Sequence, residues 1–260
     1  MSADNSSSIQ IHEGSANPIV DIFYKTYPGD EEWITYSIKS VYKFARGFRQ
    51  IVVVSNSGHH YHPPSGNLPV KYVELDLPPD DARYPNGVGY WWQMGIKLCW
   101  DRFTDADAVV VVDSDQIFYD HFSPASWRKD GKIIWMRRPW SEAGNGVIWK
   151  PGADFLLGKD TPYDYMVGPG FYITRTALQS FTNFMQSRFA QTPDQYYIDV
   201  KNPRTSEFVP IGAYIDHIQD PEYGFYHPRD VNYRPWPLKQ YWSWGKITEE
   251  IRTEIEEFLK

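Results

Sequence analysis

Residues 108–115 read AVVVVDSD. Five apolar residues, four of them β-branched valines, run directly into two aspartates. The run is too short for an ordinary helix and has no polar alternation, as expected for a strand covered on both faces of a parallel sheet. Three more segments read as strands. PIVDIFY (18–24) and IVVVSN (51–56) are apolar runs, and VKYVELD (70–76) alternates as a strand. Helical spacing fills the gaps between them. Asp30 stands as a cap before Trp33, Ile34, Ile38, Val41 and Phe44 or Ala45, and Gly47 stops the run. Residues 57–69 carry Gly, Pro and His and read as a loop. Residues 89–103 (GYWWQMGIKLCWDRF) are apolar at helical intervals and lead into 108–115. Strands alternating with helices predict a parallel α/β sheet, whose ligands bind beyond the carboxyl ends of the strands.

Further along, KIIWMRR (132–138) reads as a strand, 168–189 as a strand followed by an amphipathic helix, and 247–259 as a helix with an acidic face. No internal repeat or long linker interrupts the chain. One domain over 18–260 is expected, behind a Ser- and Asn-rich tail, 1–17, that lacks a basic start or an apolar run.

The formal charge of −7 opposes nonspecific binding to a polyanion. A basic stretch runs against this trend: Arg128, Lys129, Lys132, Arg137, Arg138 and Lys150, with only Asp130 and Glu142 as acids among them. It is a candidate phosphate-facing surface. Aromatic residues make up 17% of the chain, which leaves flat faces available for sugar rings or bases as well as for a core. Trp91, Trp92, Trp236, Trp242 and Trp244 are the stacking candidates. The one cysteine, Cys99, excludes an intramolecular disulfide and reads as a buried thiol. No segment approaches the roughly 18 consecutive apolar residues of a membrane span. A soluble, cytoplasmic protein in a reducing compartment is the expectation.

The two aspartates after the buried strand carry the chemistry. Residues two apart on a strand share a face, so Asp113 and Asp115 are expected on one side of the strand end, in reach of one hard divalent cation. The alternative is a solvated turn. Two anionic ligands would hold a cation able to neutralise charge on a departing phosphate. The HHYH cluster at His59, His60 and His62 has metal-like composition but lies in a Pro/Gly loop.

With PIVDIFYKTY, IVVVSN, the helix bearing Gln93 and Lys97, VVVVDSD, MVGPGFYITR and TSEFVPIGAY in place, most of the chain resembles the GT-A fold glycosyltransferases, which carry an Asp-x-Asp motif after a buried strand. That resemblance implies a GT-A-like domain with a Rossmann-like nucleotide-sugar-binding half, 18–120, and an acceptor-binding half, 121–260. It implies Mn²⁺ or Mg²⁺ held between the acids and a donor diphosphate. Asp115 would ligate the metal, and Asp113 would hold ribose or reach the metal through water. A C-terminal histidine commonly completes the set, here His227 in GFYHP, with His217 as the other candidate. Glu207, in Thr205-Ser206-Glu207, is similar in position to the acidic motif of inverting members and would be the general base. It departs from their usual Glu-Asp pair, and a helix cap is its other reading. Lys25, Thr26 and Tyr27 would surround the nucleoside, Gln93 or Lys97 the diphosphate. Gly168 and Gly170 would let a sugar approach the backbone closely.

The function expected is divalent-metal-dependent transfer of a hexose from a nucleoside-diphosphate sugar such as UDP-glucose to an acceptor hydroxyl on a sugar or small molecule. A second acceptor is a hydroxymethylated base of phage DNA, because small transferases of similar organisation modify such bases. Outside this class stand a nucleotidyltransferase or phosphohydrolase, and a non-catalytic carbohydrate- or nucleic-acid-binding module. The first group is disfavoured because KTYPGD follows strand one and no GxxxxGK[ST] loop is present.

Overall fold

The computed structural model describes residues 18–58, 61–80, 83, 87–168, 170–230, 237–243 and 246–260. The tail 1–17, His59, His60, Pro169, Trp236 and Trp244 lie outside the described residues. Strands β1 (Val20–Lys25), β2 (Ile51–Asn56), β3 (Val70–Leu75) and β4 (Ala108–Val112) fall where the apolar runs predict them. Beyond them lie β5 (Gln116–Phe118), β6 (Arg128–Lys129), β7 (Lys132–Met136), β8 (Arg138–Pro139), β9 (Tyr163–Asp164), β10 (Phe171–Thr174), β11 (Tyr223–Tyr226) and β12 (Leu238–Gln240). The helices are α1 (Glu31–Phe44), α2 (Val88–Lys97), α3 (Lys150–Leu157), α4 (Arg175–Phe189), α5 (Pro193–Ile198), α6 (Phe208–His217) and α7 (Glu249–Leu259).

The central sheet has the order β10-β4-β1-β2-β3. β1 through β4 are parallel, with Val20 opposite Ala108 and Tyr24 opposite Val112, and β10 closes the sheet antiparallel to β4. The valines of β4 are at most 2% exposed, which explains a run with no polar alternation: both faces are covered. Each such valine stabilises the fold by about 1.5 kcal/mol or more. One apolar cluster extends from β1 through Leu238 at the start of β12. A second, built from Trp33, Tyr36, Ile117, Tyr241, Ile247 and Ile255, fastens the C-terminal segment and α7 to α1.

Two local expectations are corrected. The helix expected over 89–103 ends at Lys97, where the Leu98 and Cys99 amides turn back to Gly95 and Ile96, and a short 3₁₀ turn at Trp100–Arg102 follows. α2 also packs so closely on the start of α5 that a Cβ at Gly95 would come within 2.5 Å of the Asp194 Cα. Asp30 occupies the N-cap position of α1, yet its side chain makes no capping bond. Its carboxylate is directed elsewhere.

Candidate functional site

β4 stops at Val112, so Asp113-Ser114-Asp115 forms a turn beyond the strand instead of continuing it. The Gln116 amide closes this turn on the Asp113 carbonyl at 3.1 Å, and the Gln116 side chain accepts from the Asp113 amide at 3.1 Å. Strand alternation therefore does not set the direction of the two carboxylates, and each has its own partners. Between them the Ser114 hydroxyl donates to Thr26 Oγ1 at 3.1 Å, joining the ends of β4 and β1.

Asp113 accepts from Lys97 Nζ at 2.5 Å, and the same ammonium donates to Glu207 Oε1 at 2.8 Å. Lys97 and Glu207 are 5% and 2% exposed, so one buried cation ties the end of β4 to the start of α6. Burial alone would lower the Lys97 pKa, but attraction to Asp113 and Glu207 wins and raises it above the usual lysine value. Glu207 also accepts from the Ser206 hydroxyl at 3.1 Å. It precedes α6 without capping it, so the cap reading is overturned: Lys97 claims the side chain.

Asp115 is held from the C-terminal segment. Gln240 Nε2 donates to one oxygen at 2.5 Å, and the Ser243 amide to the other at 2.8 Å. Burial and the neighbouring Asp113 charge push its pKa up to about 6, against the pull of those two donors. Asp30 lies in the same field. Burial, Asp115 and Asp113 raise it to about 7, partly offset by the hydroxyls of Ser114 and Tyr27, and its Oδ1 is buried with no hydrogen-bond partner. Lys25 is 4% exposed and, among the described residues, donates only to neutral oxygens, Thr26 O at 2.5 Å and Asn56 Oδ1 at 2.9 Å, with the Trp92 ring at 5.1 Å. Burial and the charge of Lys97 lower it to about 7.

The structure thus brings together Lys25, Thr26, Lys97, Asp113, Asp115 and Glu207 at one edge of the sheet. Tyr27 is exposed, and Gln93 lies half-buried on α2. Gly168 and Gly170 both have positive φ, 84° and 73°. A Cβ at Gly170 would press on Leu238 and Trp127 at 3.2 and 3.3 Å, so packing explains that glycine. His227 bonds Glu142 Oε2 at 3.1 Å, and His217 ends α6. Among the described residues no three His, Cys, Asp or Glu side chains group closely enough to enclose a metal ion, so neither histidine joins the aspartates. Trp91 packs against Tyr90 and Trp149, whereas Trp242 is 73% exposed. His62 is exposed. Cys99 is buried, and burial holds its thiol well above the usual range, as for an inert core cysteine. Half of the basic stretch is paired with acids: Arg137 with Asp216, Arg138 with Asp164, and Lys150 with Asp154 and Asp160. Composition showed its cations and hid their partners.

The donor set suits a hard cation. Asp113 and Asp115 each retain lone pairs beyond those their hydrogen bonds use. A magnesium-like ion binds through one or two carboxylates plus substrate phosphates and needs no all-protein cage, so the missing third ligand is compatible with such use.

Compared with solved structures, the chain matches the galactosyltransferase LgtC, solved in complex with donor and acceptor sugar analogs, over 92% of this chain and 95% of that one. The TM-score is 0.50 and the sequence identity 10%. The fold is that of a GT-A glycosyltransferase. In this fold Asp113 and Asp115 follow the carboxyl end of β4, and Lys97 ties Asp113 to Glu207 at the start of α6. No protein-family model matches the sequence, and no curated protein matches it. Among the described residues no helix is long and apolar enough to cross a membrane.

Proposed function

We propose that the protein is a glycosyltransferase that moves a sugar from a nucleoside-diphosphate donor to an acceptor hydroxyl, with Mn²⁺ or Mg²⁺ as cofactor. The observation that carries this reading is the Asp113–Lys97–Glu207 bridge at the carboxyl edge of a GT-A sheet. It ties the turn after β4 to the first residue before α6, so donor-side and acceptor-side groups share one buried cation.

Asp113 and Asp115 would hold the divalent ion together with the donor diphosphate, and the ion would neutralise charge on the departing nucleoside diphosphate. Lys25, Thr26 and Tyr27 at the end of β1 surround the nucleoside, with Gln93 and Lys97 toward the diphosphate. In an inverting reaction the acceptor oxygen forms a bond to the anomeric carbon while the bond from that carbon to the phosphate oxygen breaks. Glu207 takes the acceptor proton through a lone pair left free by Lys97 and Ser206. Gln240 and the Ser243 amide hold the Asp115 carboxylate in place, so the C-terminal segment positions a metal ligand.

The acceptor favoured is a sugar or a small molecule. The pairing of Arg137, Arg138 and Lys150 within the fold weakens the support for a DNA acceptor, as does the net charge of −7. The test is to incubate purified protein and Mn²⁺ with a panel of UDP- and GDP-sugars, measuring binding and hydrolysis, and then to offer oligosaccharides and hydroxymethylated DNA with labelled donor. Turnover of one donor and label in oligosaccharide is expected. Absence of binding and turnover across the panel would exclude a transferase, and label confined to DNA would reverse the acceptor assignment.

A further inference from the structure

At the far end of α6 from Glu207 lies a concavity of about 300 Å³, within the size range of small-molecule sites. α6 has ten residues, so this cavity lies about 15 Å along the helix from the start of α6. Its wall gathers Arg137 after β7, Lys159 after α3, and Asp216 and His217 at the end of α6, with Tyr163 and Tyr165. Three potential cations from separate parts of the chain face one carboxylate, in a protein whose net charge is −7.

The arrangement is built in advance of any ligand. The Arg137 guanidinium lies 4.3 Å from the centre of the Tyr163 ring and 5.2 Å from that of Phe225, which fixes its plane. One of its nitrogens pairs with Asp216, which also accepts from the Tyr165 hydroxyl at 2.6 Å. The single acid is therefore satisfied, while Arg137 keeps further N–H donors. Among the described residues the Lys159 ammonium and the His217 ring have no hydrogen-bond or ion-pair partner. Lys159 is exposed, and partial desolvation lowers its pKa, with Asp216 acting in the opposite direction.

We propose that this cavity is a second binding site, selective for a sugar-sized ring bearing a phosphate or carboxylate group. Arg137, Lys159 and His217 take the anion, and the cavity volume accommodates the ring. The proposal does not depend on the transferase reading, because none of these residues belongs to the Asp113–Asp115 cluster.

Glucose 6-phosphate, glucuronate and glucose, titrated separately against the full chain, test it by calorimetry and by the proton resonances of the His217 ring. At least one anionic sugar is expected to bind with a millimolar Kd and to shift His217, while glucose does neither; the tighter of the two names the anion. Lys159 and His217 are exposed, so Lys159→Glu and His217→Gln should leave the fold intact, and each should weaken binding at least tenfold. Failure of both anionic sugars to bind, equal binding of glucose, or unchanged affinity in both variants would overturn the site.

Discussion

The two edges of the central sheet both bury charge and treat it in opposite ways. At the amino edge of the parallel strands, Asp21 is fully buried and every donor around it is matched: Arg49 grips both oxygens at 2.9 and 2.7 Å, with Thr104 at 2.5 Å and Gln50 at 2.9 Å. Arg175 and Lys71 there donate to backbone carbonyls, and Arg102 pairs with Asp194. A cleft of about 590 Å³ opens on this edge, but its cations are already engaged. At the carboxyl edge Asp30 has an orphaned oxygen, Lys25 has no carboxylate partner among the described residues, and the pKa values of Asp30, Asp115 and Lys25 are all displaced toward neutrality. Unmet charge, which costs free energy in the absence of a ligand, chooses the carboxyl edge.

That contrast can be broken most forcefully at Lys97, the one well-matched cation of the carboxyl edge. Lys97→Met leaves two carboxylates, one of them deeply buried, without their cation and should cost about 3–5 kcal/mol in denaturant unfolding. A variant as stable as the parent would show that the bridge contributes nothing. Next in size is Glu207→Gln, which keeps the side-chain shape and should lower transfer on the order of 10²-fold while sparing donor binding. A parallel loss of donor affinity would instead make Glu207 a support for the donor site.

Asp21→Ala probes the matched edge. It should lower stability by about 2 kcal/mol, as for lost hydrogen bonds to a charged group, with donor affinity unchanged in calorimetry. The smallest effect expected is in pH dependence. Asp30 and Asp115 have folded-state pKa values raised to about 7 and about 6, above their unfolded value, so the folded protein retains protons that the unfolded chain has released. Their contribution is fully present below the unfolded carboxylate pKa and is lost as pH rises through about 7. Melting followed by calorimetry without divalent ions should show Tm falling from about pH 5 to about pH 7. Asp30→Asn should flatten that fall; an unaltered slope would place the coupling elsewhere.

Much of the architecture was legible in the sequence because β-branched runs buried on both faces leave no other reading. AVVVV and IVVVSN fell within a residue of their strands, and α1 and α4 followed their apolar spacing. α3 and α5 escaped, since both open on a proline-containing turn, one six residues long and the other eight, without a repeating stripe. The candidate site was only half legible. Asp113, Asp115, Lys97 and Glu207 could be singled out, but not the bond that joins Asp113 to Glu207 through Lys97, because its partners lie 16 and 110 residues apart from that lysine. Gln240 and Ser243 carried no local signal at all. Asp30 did: it closes a Tyr-Pro-Gly-Asp turn straight after strand one, and its reading as a simple cap hid a carboxylate aimed at the aspartate pair.

The most direct test of a metal-assisted donor site at the carboxyl edge is calorimetric titration of a UDP- or GDP-sugar, with and without Mn²⁺, into the parent protein and Asp115→Ala. Binding that requires the metal in the parent and vanishes in the folded variant is expected. Binding of equal strength in both proteins would contradict it.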